Sequence, residues 1–175
     1  GDVYKRQFLT FLDDKVKVLY VEGAPRWEYR YLRTVLMRDS RLEVKFLMTK
    51  GDPDLAKYSP EYISEFPAVG ESTLDFDLVI LGDVDSRYFE RKQMEWMVKQ
   101  VNRLGGAMLM LGGAAHTPQS YRGSPIEDLL PVKLRGDQWA PVPNELVASP
   151  TDEGLLGRIA TLGVEESMAR KLWSQ

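Results

Sequence analysis

Along the first two thirds of the chain, short apolar runs alternate with stretches of helical periodicity. Lys15–Glu22 (KVKVLYVE) is apolar and rich in β-branched residues, and it stops at Gly23. A run of this kind is what a strand buried on both faces requires. Pro25 stands where a helix can begin, and Arg26–Asp39 places Trp27, Tyr31, Val35 and Leu36 near helical spacing. Leu42–Thr49 (LEVKFLMT) reads as a second strand. The three pieces make a strand–helix–strand unit, the building block of a parallel sheet.

Lys50–Asp75 is a long polar excursion, with a short helix predicted over Pro60–Phe66. Phe76–Leu81 (FDLVIL) is a third strand, closing at Gly82–Asp85 (GDVD). Ser86 can cap the next helix, predicted over Arg87–Leu104, with an apolar stripe at Phe89, Met94, Met97, Val98 and Val101. Gly105 and Gly106 end it, as a left-handed C-cap usually requires. Ala107–Leu111 is a fourth strand, closing at Gly112–Gly113. Beyond Ala114 the pattern weakens. Ser124–Leu130 reads as a short helix stopped by Pro131, Asn144–Ser149 as a strand, and Val164–Trp173 as a helix. The alternation predicts an α/β fold: an open, mostly parallel sheet with helices on both faces.

Composition narrows the chemistry. The 175 residues suit one domain, or one domain plus an appendage, and 43% hydrophobic with 28% charged residues is ordinary for a folded chain. A formal net charge of −3, with Lys and Arg scattered among acids, gives no footprint for nucleic acid. There is no cysteine, so disulfides, thiolate catalysis and cysteine-based zinc sites are excluded. With His116 as the single histidine, a multi-histidine metal centre is excluded too, and no metal or cofactor is expected. No apolar run approaches the roughly 20 residues of a membrane span. The N-terminus lacks the layout of a signal peptide. Gly1–Gln7 (GDVYKRQ) resembles translated adapter sequence, so residues 1–13 are read as an extension and 14–175 as the domain.

In an open parallel sheet, ligands bind where loops converge at the strand carboxyl ends. Three loops qualify. The first, Glu22–Tyr29, offers Glu22, Gly23, Arg26, Trp27 and Tyr29. Arg26 and Trp27 can hold a small polar ligand, but the favoured reading pairs Arg26 with Glu22 and packs Trp27 between helix and sheet. The second loop carries Asp83 and Asp85. Paired carboxylates can bind a hard cation or act as acid and base, but they more often cap a helix start. The third, Gly112–Thr117, contains Gly112, Gly113 and His116. His116 could serve as general base with Ser120 or Thr117 as nucleophile, or beside Asp83 acting on water. The chain has no G-x-S-x-G elbow and no phosphate-binding glycine fingerprint, and the favoured role for His116 is to anchor its loop. A flavin or nucleotide site ranks third, because EGAPRWEY lacks the Ser/Thr/Gly character that cradles phosphate.

Three stretches together carry a family likeness: Val18–Leu32 (VLYVEGAPRWEYRYL), Asp77–Asp85 (DLVILGDVD) and Gly105–Val132, with Val21–Leu32 the most specific. From about Asp14 onward the chain resembles the class I glutamine amidotransferase-like domain of large bacterial membrane proteins, often found beside a von Willebrand factor A-type domain. The tail Arg170–Gln175 also resembles that family. The resemblance implies a flavodoxin-like sheet and a truncated piece of a longer, inner-membrane-associated protein. It further implies partners among that protein's other domains or a separate protein. Active amidotransferases of this class use a cysteine on a strand-to-helix elbow, then a histidine and an acid. Gly112–Thr117 falls where such a turn would lie and has no thiol, so no catalytic residue carries over. The expected function is a non-catalytic interaction or ligand-sensing module, with a His116-based hydrolase as the alternative.

Overall fold

The computed structural model describes residues 15–52, 54–69, 76–136, 149–156, 160, 161 and 163–173. The chain falls into two compact units, Gly1–Arg135 and Gly136–Gln175. The first holds a parallel sheet of β1 (Val16–Glu22), β2 (Leu42–Met48), β3 (Leu78–Leu81) and β4 (Ala107–Met110), in the order β2-β1-β3-β4. β1 is central, pairing Val18 with both Val44 and Leu78. This is the order of the first four strands of a flavodoxin-like sheet, which reverses direction between β1 and β3.

That reversal puts the helices on opposite faces. Right-handed crossovers carry α1 (Trp27–Arg38) from β1 outward to β2 and α3 (Arg91–Arg103) from β3 outward the other way. Strand side chains alternate accordingly. Val18, Tyr20, Phe46 and Ile80 pack with Tyr29 and Leu36 of α1. Leu19, Val21, Leu47, Val79 and Leu81 pack with Met94 and Met97 of α3, together with Phe66, Phe89, Tyr121 and Ile126. The α1 side is covered less completely. Leu109 on the edge strand β4 stays 44% exposed there.

Four details depart from the sequence expectations. First, residues 60–66 are not helical, and the helical turn lies earlier as α2 (Leu55–Tyr58). The segment runs beside the edge of β2, where Phe46 donates its N–H to Glu61 O and its carbonyl accepts from the Ile63 N–H. An edge strand has backbone groups to satisfy, and this segment satisfies two of them. Second, the helix expected over Arg87–Leu104 is broken. Asp85 caps a 3-10 turn, Ser86–Tyr88, Phe89 drops into the core, and α3 starts afresh behind a Glu90–Gln93 capping box. Third, the short helix read over Ser124–Leu130 is present with Pro125 in its first turn, but over Pro125–Leu129 its geometry is 3-10. Fourth, of the apolar stripe expected on α1 only Leu36 meets the sheet, and the other three members point outward. Tyr29 and Leu36 face the sheet, whereas Trp27, Tyr31 and Val35 are 69%, 68% and 64% exposed. The C-cap of α3 is as expected: Gly105 is left-handed, and the Gly106 N–H returns to Gln100 O.

The second unit contains α4 (Asp152–Leu156), which the sequence reading did not foresee, and α5 (Glu166–Trp173), which it did. Arg170 of α5 pairs with Asp152 and Glu166, and the Trp173 indole donates to Ala160 O. The strand expected over Asn144–Ser149 lies outside the described residues except for Ser149. No helix among the described residues is long and apolar enough to cross a membrane.

Candidate functional site at the strand carboxyl ends

The three loops do converge at the carboxyl ends of β1, β3 and β4, and two buried carboxylates organise them. Glu22, the last residue of β1, is fully buried. It accepts hydrogen bonds from the N–H groups of Gly23 and Asp83, from Tyr20 Oη and from Arg26 Nη2, at 2.8–3.2 Å. Arg26 also donates to Gly112 O, so one guanidinium joins the first loop to the third. The favoured Arg26–Glu22 pairing is therefore present. A β-carbon at Gly82 would run into this carboxylate, which is the physical reason for glycine there.

Asp83 plays the same part for the third loop. Its carboxylate accepts the backbone N–H groups of Ala115, His116 and Thr117 at 2.7–3.0 Å. Burial pushes the Asp83 carboxyl up, but those three N–H donors outweigh it, and the group ends below the usual carboxylate range. Gly113 packs directly on this side chain. The Thr117 hydroxyl donates to Leu111 O, completing the turn. Asp83 thus braces a loop 32–34 residues away instead of capping a helix. The capping role falls to Asp85, held at about 2 chiefly by hydrogen bonds from the Arg87 side chain.

The His116 ring is clamped from two sides. Nδ1 lies 3.7 Å from Asp85 Oδ2, and Nε2 lies 3.1 Å from Lys50 Nζ. An ammonium is purely a donor, so Nε2 accepts and Nδ1 carries the proton toward Asp85. Lys50 was not foreseen as part of the site. It lies at the end of the β2 turn, 66 residues from His116, and spacing carries no sign of such a contact. The Ser120 hydroxyl accepts from the Ser86 N–H, and Ser86 Oγ bonds Ser120 O. Both candidate nucleophiles are thus engaged in bracing. Asp83 meets the His116 backbone rather than its ring. Tyr121, fully buried, has a hydroxyl without a hydrogen-bond partner among the described residues, and burial raises its pKa. No group of three or more His, Cys, Asp or Glu side chains among the described residues is arranged to hold a metal.

No protein-family description, no curated protein and no solved structure matches this chain. Its residues alone carry the functional argument.

The remaining predicted contact residues divide sharply. Tyr29 is core: 5% exposed, its hydroxyl 2.7 Å from that of Tyr62 and its ring against Tyr20 and Phe46. Trp27, two residues earlier, does not pack helix against sheet. It lies outside, stacked on Tyr31 at 6.2 Å between ring centres, with the Arg30 guanidinium 5.4 Å over its ring. Aromatic residues backed by arginine are the usual anchors of protein interfaces, since they bring large contact area at small entropic cost.

Proposed function

We propose that this chain is a glutamine amidotransferase-like α/β domain that serves as a protein-interaction module of a larger, envelope-associated bacterial protein. The strand order and the absence of cysteine are compatible with that reading. The observation that carries it is the outer face of α1, where Trp27, Tyr31 and Val35 form an exposed ridge at four-residue spacing. An exposed apolar ridge adds nothing to folding, and in a monomer it invites association. The polar groups at the strand ends argue the same way. Glu22, Asp83, Thr117 and Ser120 spend their hydrogen bonds on neighbouring loops, which leaves the hydrolase alternative without a prepared nucleophile.

The test is photo-crosslinking from position 31. A benzophenone amino acid replacing Tyr31 should give adducts when the protein is irradiated in the cells that make it. The same residue replacing Lys92, exposed at the start of α3, should not. Equal yields from the two positions would sink the reading.

A further inference from the structure

The α1 ridge also indicates what covers it. α1 begins with an acidic residue, Glu28, and ends with a basic one, Arg38. Both are exposed, and neither makes an ion pair among the described residues. At about 100° per residue, Trp27, Glu28, Tyr31, Val35 and Arg38 share an arc about 100° wide, directed away from Tyr29, Leu32 and Leu36. The arc is self-complementary. Glu28 and Arg38 are equally far from Arg33 along the helix, and so are Tyr31 and Val35. Two copies of α1 laid antiparallel about a two-fold axis at the level of Arg33 therefore satisfy both of these pairs in one register. Glu28 of each copy faces Arg38 of the other, and Tyr31 faces Val35. Trp27 falls beside the other copy's Arg38, within reach of a cation–π contact. A two-fold interface uses the same patch on both copies, and that requires a patch of this kind.

We infer that the occupant of this face is a second copy of the chain, paired antiparallel through α1. The inference rests on the interaction reading above and gives it a partner. The antiparallel arrangement also sets the positive N-terminal end of one helix dipole against the negative C-terminal end of the other, and the acidic first turn of each helix against the basic last turn of its partner. One helix face per copy is small for an interface, so the dimer is weak and in exchange with monomer.

Sedimentation equilibrium of the full chain from about 5 µM to about 1 mM brackets a weak association of this kind. A monomer–dimer equilibrium is expected. Tyr31→Lys, on a surface the core does not use, should leave the thermal midpoint in place and hold the protein monomeric. Glu28→Lys or Arg38→Glu alone acts at both symmetric contacts, and each should raise the dimer dissociation constant roughly tenfold. The double variant, Glu28→Lys with Arg38→Glu, should return within about threefold of the parent, because the swapped charges attract again. Each single variant carries one helix-dipole penalty and the double variant carries both, so rescue reports the pairing itself. A chain monomeric throughout, a dimer indifferent to Tyr31→Lys, or single variants that the double fails to rescue would each overturn the inference. The photo-adduct from position 31 separates the two ideas. An adduct of twice the chain mass supports the dimer. One of another mass alone overturns the dimer while the interaction reading stands, and no specific adduct overturns both.

Discussion

Two regions joined by a single loop treat their side chains in opposite ways. At the carboxyl end of the sheet, polar groups are buried and almost entirely consumed by each other. One turn later, on the outer face of α1, apolar groups are exposed and left over. Glu22 and Trp27 are five residues apart, yet the first is fully buried and the second is 69% exposed. Arg26 is the hinge between them, reaching back to Glu22 and across to Gly112. Ordinary folding energetics favours the reverse of both, since burying a carboxylate costs several kcal/mol unless it is paired, and exposing an indole forgoes about 2 kcal/mol. The strand-end cost is met inside the fold by hydrogen bonds. The α1 cost is not, and that asymmetry separates a braced scaffold from the surface on which the interaction reading rests.

The largest effect should come from the first region. Glu22→Ala removes the acceptor shared by two backbone N–H groups, a tyrosine hydroxyl and a guanidinium; the N–H groups and the hydroxyl lose this buried partner, and Arg26 keeps only Gly112 O among the bonds described above. Breaking a buried charge pair in this manner costs about 3–5 kcal/mol. Urea unfolding should show that loss, and Glu22→Gln should show a smaller one because its carbonyl oxygen still accepts from the backbone. If Glu22→Ala unfolds at the parent midpoint, the strand ends are not a braced scaffold, and the contrast with α1 fails.

Asp83 should give an intermediate effect with a distinctive pH signature. Its folded pKa lies below the value of about 3.9 for an unfolded aspartate. Below that value the unfolded chain binds more protons than the folded one, so stability falls as pH drops through this range. The Asp83 contribution is complete above the unfolded pKa and is lost as pH falls through the folded one. Asp83→Asn should cost about 1–3 kcal/mol at neutral pH and flatten the acid limb of the stability curve. Asp85 titrates in the same window, at about 2, through a solvent-exposed Arg87. Salt should therefore weaken the Asp85 part and leave the better-shielded Asp83 part, which separates the two. An acid limb unchanged by Asp83→Asn would mean that the 113–117 loop does not depend on this carboxylate.

These two regions were unequally legible in the sequence. The strands could be read because each is an apolar, β-branched run between turn residues, and a doubly wound sheet buries both faces of its strands. The Arg26–Glu22 pair could be read because its members lie four residues apart. Asp83 bracing residues 115–117, and Lys50 meeting His116, could not. Those contacts join distant parts of the chain and depend on where the sheet brings its ends. The orientation of α1 was missed for Trp27, Tyr31 and Val35, though not for Leu36, and for a different reason. Trp27, Tyr31 and Val35 repeat as regularly as Tyr29, Leu32 and Leu36, and periodicity alone does not say which ridge meets the sheet. Near Phe89 a local signal did exist, because Glu90 and Gln93 have capping-box spacing. The apolar stripe drawn through Phe89 obscured it.

The smallest stability effect should be at Trp27, and its smallness is the informative result. A buried indole cut to a hydroxymethyl group would cost about 3–5 kcal/mol. Trp27 is mostly in water, its ring stacked on Tyr31 and lying under the Arg30 guanidinium, both of the same helix. Such local pairs are worth a few tenths of a kcal/mol, and serine is a slightly poorer helix former than tryptophan by no more than that. Trp27→Ser should therefore change unfolding stability by about 0.5 kcal/mol or less, while Tyr29→Ala, two residues on, should cost several times as much. Measured side by side by urea unfolding at a concentration where the parent is monomeric, the pair isolates folding from association. Raising the protein concentration should then stabilise the parent and leave Trp27→Ser behind, because only the parent gains from binding that accompanies folding. Equal costs at Trp27 and Tyr29 under dilute conditions would put both ridges of α1 in the core and remove the surface on which the interaction reading depends.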